Sequence, residues 1–153
     1  MTPEKFDLAE QRYINAIQNL SREKLDGFFE LTAADIEFRD PFNHTRGREP
    51  MREIFEDMFE KLDPVSFEIL EHVSDHERGL VFMYWIFRAG NKLTGPMEFA
   101  GMSRVHLNAE GKVDAHLDFW DAASELYEKV PVMGSVLRAM KSRLRVEEGQ
   151  ITN

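Results

Sequence analysis

Apolar residues in the first third of the chain recur at the spacing of α-helices. The pattern predicts a first helix with a buried stripe and a short second helix that begins at Ser21, whose side chain can cap it. The buried positions are Phe6, Tyr13, Ile17 and Leu20, with Ala9 and Ala16 beside them, in the first helix, and Leu25, Phe28 and Phe29 in the second.

A strand and a third helix follow these two helices. The strand is predicted over Asp35 to Arg39 and ends at Asp40-Pro41, because proline cannot donate to a strand ladder. The helix begins within residues 47–50 and has the strongest helical period of the chain, i, i+3, i+4, i+7, i+8 and i+11. Its apolar positions are Met51, Ile54, Phe55, Met58, Phe59 and Leu62.

After Asp63-Pro64 the hydrophobic period changes from helical to two, which predicts strands. One strand covers Val65 to Ile69, and a second covers Leu80 to Phe87, whose uniformly apolar residues indicate cover on both faces. A third covers Met97 to Leu107, and the turn 108–111 leads to a last strand that ends at Trp120. In that last strand Val113, Ala115, Leu117 and Phe119 are predicted on one side, and Asp114, His116, Asp118 and Trp120 on the other.

The order of these elements predicts an α+β fold, with N-terminal helices packed in a curved antiparallel sheet. The length of 153 residues suits a single domain, for which residues 1–146 are the predicted bounds. Two helices predicted within 122–145 form a C-terminal extension of that domain, and residues 147–153 are predicted to be a flexible tail.

Charge and composition exclude several classes of partner. The formal net charge of -9 argues against nucleic acid, which requires clustered Lys and Arg, and the basic cluster 138–145 is interpreted as a solvated helix face. There is no cysteine, no apolar run of about 18 residues and no signal-like N-terminus. A cytoplasmic protein without a membrane partner is therefore the expectation.

Three polar side chains are candidates for chemistry, and each has an ordinary structural explanation. Tyr13 lies on the buried stripe, where a phenol either bonds to a core partner or points into a pocket. Asp40 precedes a proline and either starts a turn or acts as a partly desolvated base. Ser103 either bonds to a neighbouring carbonyl or contributes to a site.

The last strand carries a further candidate group. His116, Asp118 and Trp120 share a face, on which Trp is an unusual companion for solvated His and Asp but a suitable platform for a flat ligand. A two-His-one-carboxylate metal site is disfavoured because His106 is predicted on the opposite face of its strand. No metal and no cofactor are therefore predicted.

Several segments resemble a known family. Residues 11–17, 38–42 and 47–48 resemble the opening of ketosteroid isomerases and SnoaL-like polyketide cyclases, and residues 111–113 and 118–121 resemble their last strand. The resemblance implies the cone-shaped nuclear transport factor 2-like fold. It also implies that Asp40 matches the isomerase base and Tyr13 the oxyanion-hole phenol, while Ser103 stands where the isomerases have a protonated aspartate. In the cyclases the acid/base aspartate lies on the last strand, which implies this role for Asp118 or its neighbour His116.

These observations favour a cofactor-free isomerase or cyclase that transfers a proton next to a carbonyl in a small apolar or cyclic metabolite. A non-catalytic ligand-binding or accessory module is the alternative, and an epoxide hydrolase-like enzyme is a third. A homodimer across the open sheet face is expected because Leu80 to Phe87 requires cover on both sides. The residues predicted to line the pocket are Ser103, Trp120, Phe55, Phe59, Phe82 and Phe99.

Overall fold

The structure is a computed structural model that describes residues 1–91 and 95–122. The chain divides into two compact units, Met1–Trp120 and Asp121–Asn153. The extension and tail predicted for the C-terminus lie outside the described residues, apart from Ala122. Among the helices of the described part, none is long and apolar enough to cross a membrane.

Three α-helices lie in the first unit: α1, Pro3–Gln18; α2, Leu25–Glu30; and α3, Arg48–Lys61. The hydroxyl of Thr2 caps α1 by accepting a hydrogen bond from the Lys5 backbone N–H. The prediction that Ser21 caps the second helix is wrong, because a 3₁₀ turn, Arg22–Lys24, precedes α2 and the Ser21 side chain makes no capping bond.

Six strands form one sheet in the order β2-β1-β6-β5-β4-β3, with β1 and β6 parallel and every other pair antiparallel. This arrangement confirms the predicted α+β fold with a curved, mostly antiparallel sheet. The short β2 was not predicted, and β1 and β3 are longer than predicted. The strands are β1, Thr32–Arg39; β2, His44–Arg46; β3, Val65–Asp75; β4, Leu80–Asn91; β5, Gly95–Leu107; and β6, Val113–Phe119.

The helices cover one face of the sheet, which we call the inner face. Strand β4 alternates strictly between the two faces, with Val81, Met83 and Trp85 buried on the inner one. Phe82 and Tyr84 lie on the outer face and remain exposed. Within the described residues of this single chain, only the inner face of β4 is covered.

A bulge in β6 changes which of its side chains face inward. The pairing of β5 with β6 shifts between His106 and Leu107, so that Leu107 lies opposite Val113 and His106 opposite Ala115. Asp114 is the extra residue. As a result, both Val113 and His116 are buried, and the predicted placement of Val113 on the side opposite His116 is wrong.

Trp85 lies against the backbone of the neighbouring strand at Gly101, the residue directly opposite it in β5. A Cβ added to Gly101 would lie 2.2 Å from the indole ring, well inside van der Waals contact. Glycine at this position therefore allows a large ring to lie flat on the inner face of the sheet.

Gly101→Ala is expected to lower the free energy of unfolding by about 1–3 kcal/mol, because the indole or the strand must move to admit a methyl group. The matched control is Gly27→Ala, since nothing lies within 4 Å of a Cβ at this helical position. It should stabilise α2 by about 0.5–1 kcal/mol. Urea denaturation measures both changes, and equal stabilities for the two variants would contradict the contact between Trp85 and Gly101.

Candidate functional site

The polar residues of the inner face lie side by side on β5 and β6. Ser103 is directly opposite Asp118 in the antiparallel ladder, and His116 precedes Asp118 by two residues, which places it on the same face. Ser103 and His116 are buried, while the Asp118 side chain keeps 18% of its surface exposed. Strand register thus places three groups capable of proton exchange within the core.

A continuous chain of hydrogen bonds joins these residues to a helix and to β4. The Trp85 indole N–H donates to Ser103 Oγ at 2.8 Å, and Ser103 Oγ donates to Asp118 Oδ1 at 2.5 Å. His116 Nε2 lies 2.8 Å from the same carboxylate oxygen, and His116 Nδ1 lies 2.7 Å from the hydroxyl of Tyr13. The chain therefore links β4, β5, β6 and α1 through side chains alone.

Tyr13 is the end of this chain on α1. Its ring packs against Phe28 with centroids 5.4 Å apart, and the side chain is almost entirely buried. Burial raises the pKa of the Tyr13 phenol well above its usual value, and the nearby negative charge of Asp118 raises it further. The phenol is therefore held in its protonated form as a hydrogen-bonding group.

A cavity lies beside the chain of hydrogen bonds, and most of its wall is apolar. The volume within which the centre of a water molecule can move is about 20 Å³. The whole space between the lining side chains, including the part that is open to solvent, is about 360 Å³. The enclosed part is roughly the room that one water molecule needs. The residues that line it are Ile17, Leu20, Phe28, Phe55, Phe67, Met83, Trp85, Ser103, His116 and Asp118.

The structure brings together most of the candidate polar residues, but not Asp40. Tyr13 reaches the site through His116 and is not part of the cavity wall. The carboxylate of Asp40 accepts hydrogen bonds from the backbone N–H groups of Phe42 and Asn43 and from the Asn43 amide. Asp40 thus shapes the turn after β1, which is the ordinary explanation that the sequence left open.

Of the six predicted lining residues, Ser103 and Phe55 line this cavity. Phe82 does not, because the alternation of β4 places it on the outer face. Phe99 and Trp120 stack on each other with centroids 4.4 Å apart and pack at the edge of the core. Phe59 of α3 also packs against the core away from the cavity wall.

Trp85 is the participant that sequence reasoning missed. The apolar run of β4 concealed it, since a tryptophan between Tyr84 and Ile86 resembles ordinary packing. The available signal was Gly101 near Ser103 on the neighbouring strand, which marks room for a large ring. In the described part of the chain, no group of three His, Cys, Asp or Glu side chains is placed to hold a metal ion.

Loss of the Tyr13 hydroxyl should change how stability depends on pH. Above about pH 10 tyrosine in the unfolded chain releases its proton while the folded state keeps it, so stability falls as pH rises, by up to about 1.4 kcal/mol per pH unit. Tyr13→Phe should remove this part of the slope, and at pH 7 it should cost about 1 kcal/mol because His116 loses a buried partner. Urea denaturation between pH 7 and 11 measures both effects. Leu8→Ala, at an exposed position of α1, is the control and should keep the wild-type slope.

Three solved structures with a similar fold are distant in sequence, and no curated protein matches this chain. A hypothetical protein with a ketosteroid isomerase-like fold from Catenulispora acidiphila DSM 44928, solved in complex with trimethylamine, is 16% identical with a TM-score of 0.66, and the match covers 82% of this chain and 92% of that protein. A Mycobacterium tuberculosis epoxide hydrolase, described as LEH-like, is 16% identical with a TM-score of 0.65, covering 92% and 96%. Another Mycobacterium tuberculosis protein, in complex with estradiol-17beta-hemisuccinate, is 13% identical with a TM-score of 0.64, covering 76% and 94%.

These structures share the fold with the chain. The SnoaL-like domain family matches residues 11–116, which include the second half of α1, all of α2 and α3, and the buried histidine of β6. The chain therefore belongs to the SnoaL-like domain family, within the nuclear transport factor 2-like and ketosteroid isomerase-like fold superfamily.

Proposed function

We propose that this domain binds a small, largely apolar molecule in the cavity and that Asp118 exchanges a proton with it. The observation that carries the proposal is the state of the Asp118 carboxylate. Its Oδ1 is held by Ser103 and His116, while its Oδ2 accepts no hydrogen bond from the described residues. A positioned carboxylate with one unengaged oxygen on an apolar wall is suited to act as a general base.

The related structures support the binding part of this proposal. One was solved with trimethylamine and another with a steroid ester, so the shared fold accommodates small molecules of different sizes and polarities. Ligand pockets of this kind are typically apolar with few polar groups. The cavity here fits that description, because six of its ten lining residues are aliphatic, sulfur-containing or phenylalanine side chains: Ile17, Leu20, Phe28, Phe55, Phe67 and Met83.

The proposed chemistry is proton transfer at a carbon next to a carbonyl group. Asp118 Oδ2 takes the proton, and the electron pair of the broken C–H bond moves to the carbonyl oxygen as an enolate. Return of the same proton to a different carbon gives an isomerisation; attack of the enolate carbon on a second carbonyl gives a cyclisation, in which Asp118 returns the proton to the new alkoxide. Either step balances without a cofactor.

The surrounding residues support this role by holding the base. Ser103 and His116 fix Oδ1, and Tyr13 fixes the ring of His116 from the far side. A base held in this way loses little rotational freedom when the reaction begins. Tyr13 is therefore proposed to act through His116 and not by direct contact with the ligand.

Asp118→Asn is expected to slow ligand proton exchange by about 10²- to 10⁴-fold, because the amide cannot accept the proton. The measurement is exchange of the protons next to the carbonyl of cyclopentanone in D₂O, followed by NMR with and without the protein. Asp40→Asn tests the other predicted base, and it should keep the exchange rate while weakening the turn after β1. The reverse result, loss of exchange in Asp40→Asn alone, would transfer the role from Asp118 to Asp40.

A non-catalytic binding module is the second candidate function, and the size of the cavity favours it. The cavity has room for about one water molecule, so side chains must move before a cyclic metabolite can enter. A protein that binds a ligand tightly without accelerating its proton exchange would fit this alternative. The same D₂O measurement therefore separates the two candidates.

We also propose that the domain forms a homodimer through the outer face of the sheet. Tyr84, Met102 and Phe119 lie directly opposite one another on three adjacent strands, and all three are exposed, by 37%, 50% and 54% respectively. Phe82 and Val73 extend this apolar surface towards β3. A continuous apolar strip on a sheet face is suited to pack against a second copy of itself around a two-fold axis.

Met102→Glu is expected to shift the protein to a monomer, because it places two charges at the centre of the proposed contact. Light scattering at micromolar concentration measures the mass. Leu8→Glu is the matched control, since it adds the same charge at an exposed apolar position on α1 and should leave the dimer intact. A wild-type protein that is already monomeric would rule out the proposed interface.

A further inference from the structure

The direction of each hydrogen bond in the polar chain can be worked out from its two fixed ends. The Trp85 indole N–H donates and has no accepting atom, so Ser103 Oγ must accept from it. The single proton of the Ser103 hydroxyl then points to the other neighbour, Asp118 Oδ1. Ser103 therefore has no proton to offer to a ligand.

The other half of the chain is fixed by the carboxylate. An ionised carboxylate accepts only, so His116 Nε2 must carry the proton in its contact with Asp118 Oδ1. In a neutral imidazole Nδ1 then accepts, and the Tyr13 hydroxyl donates to it. This arrangement satisfies every donor in the chain.

The charged form of His116 would not satisfy every donor. With protons on both nitrogens, Nδ1 would donate to the Tyr13 oxygen, and the phenolic proton would be left without an acceptor among the described residues. A buried donor without a partner is costly. Because only the neutral ring leaves no buried donor without an acceptor, the hydrogen bonds favour neutral His116 protonated at Nε2.

All four side-chain donors of the polar chain are consequently engaged within it: Trp85 N–H, Ser103 O–H, His116 Nε2–H and Tyr13 O–H. The remaining residues of the cavity wall are apolar, and no Lys or Arg lines the cavity. These apolar residues are Ile17, Leu20, Phe28, Phe55, Phe67 and Met83. What the side chains of the described wall still offer to a ligand is an acceptor, Asp118 Oδ2.

We infer that the cavity selects small apolar molecules that carry a hydrogen-bond donor, an O–H or N–H group, over molecules whose polar group is a carbonyl acceptor. The donor binds to Asp118 Oδ2, and the apolar remainder packs among the phenylalanine rings. A neutral hydroxyl and a protonated amine share this chemistry. The inference rests on the proposed function, because it takes the same cavity as the ligand site. It narrows the ligands of that site to apolar molecules with an O–H or N–H group, so that a substrate for the proposed proton transfer carries such a group besides its carbonyl.

Three probes with the same five-membered ring test the inference: cyclopentanol, cyclopentanone and cyclopentylammonium. Binding is followed at neutral pH by NMR, using the indole N–H of Trp85 and the backbone amides of Ser103 and His116. Cyclopentanol is expected to bind about fivefold more tightly than cyclopentanone, the ratio that one net hydrogen bond gives. If cyclopentylammonium binds more tightly still, the preferred donor is cationic; if cyclopentanol binds most tightly, it is neutral.

Two substitutions should change this preference in a defined direction. Asp118→Asn replaces Oδ2 by an N–H donor of the same shape, so cyclopentanone should gain affinity and cyclopentylammonium should lose it. Ser103→Ala removes the acceptor of the indole N–H of Trp85, a residue of the cavity wall, and it should also raise the affinity of cyclopentanone. Asp114→Asn is the matched control, because Asp114 lies on the same strand, is bonded to His106 and is absent from the cavity wall. It should leave the affinity ratios unchanged.

The outcomes separate this inference from the proposed function. Cyclopentanone binding as tightly as cyclopentanol in the wild-type protein would overturn the inference and leave the cavity as a ligand site. An Asp118→Asn variant with an unchanged order of affinities would also overturn it. If none of the three probes shifts the resonances of Trp85, Ser103 and His116, the proposed ligand site fails as well.

Discussion

The partial burial of the Asp118 carboxylate in a largely apolar layer is the constraint on which the arrangement of the polar chain depends. An ionised side chain within a core is tolerated only when hydrogen bonds replace the water that it loses. Asp118 obtains two of them at Oδ1, from Ser103 and His116, and these in turn require Trp85 and Tyr13 as their own partners. The carboxylate thereby determines contacts that run from β4 to α1, and it makes the packing of the helix on the sheet specific.

Much of this arrangement could be predicted from the sequence. Helical periods located α1 and α3, and the change to a period of two located the four consecutive strands that form the antiparallel part of the sheet. The face shared by His116 and Asp118 followed from strand alternation, and the position of Tyr13 on a buried stripe followed from the helical period of α1. These features are local, because they depend on residues at most a few positions apart.

The features that were missed depend on pairing between distant strands. The bulge at Asp114 has no signature in β6 alone, and it moves Val113 to the buried side through the register with β5. The parallel contact between β1 and β6 joins residues about 80 positions apart, and it cannot be read from either segment. Trp85 on β4 donates a hydrogen bond to Ser103 on the neighbouring strand β5, and alternation within β4 alone does not reveal this contact.

The same fold can offer a ligand either hydrogen-bond donors or hydrogen-bond acceptors. The direction of the hydrogen bonds within the site decides which of the two it offers. A site that stabilises an enolate needs donors aimed at the oxygen where charge develops. Here the phenol and the serine that the sequence resemblance would assign to such a site both donate inward, to His116 and to Asp118. The resemblance implies that Ser103 stands where the isomerases have a protonated aspartate; here its hydroxyl accepts from Trp85 and donates to the neighbouring carboxylate of Asp118. Under the proposed function, the chemistry of this cavity is set by the proton that Asp118 accepts, and an enolate formed there would draw its stabilisation from a donor carried by the ligand or from rearrangement of the Tyr13–His116 pair.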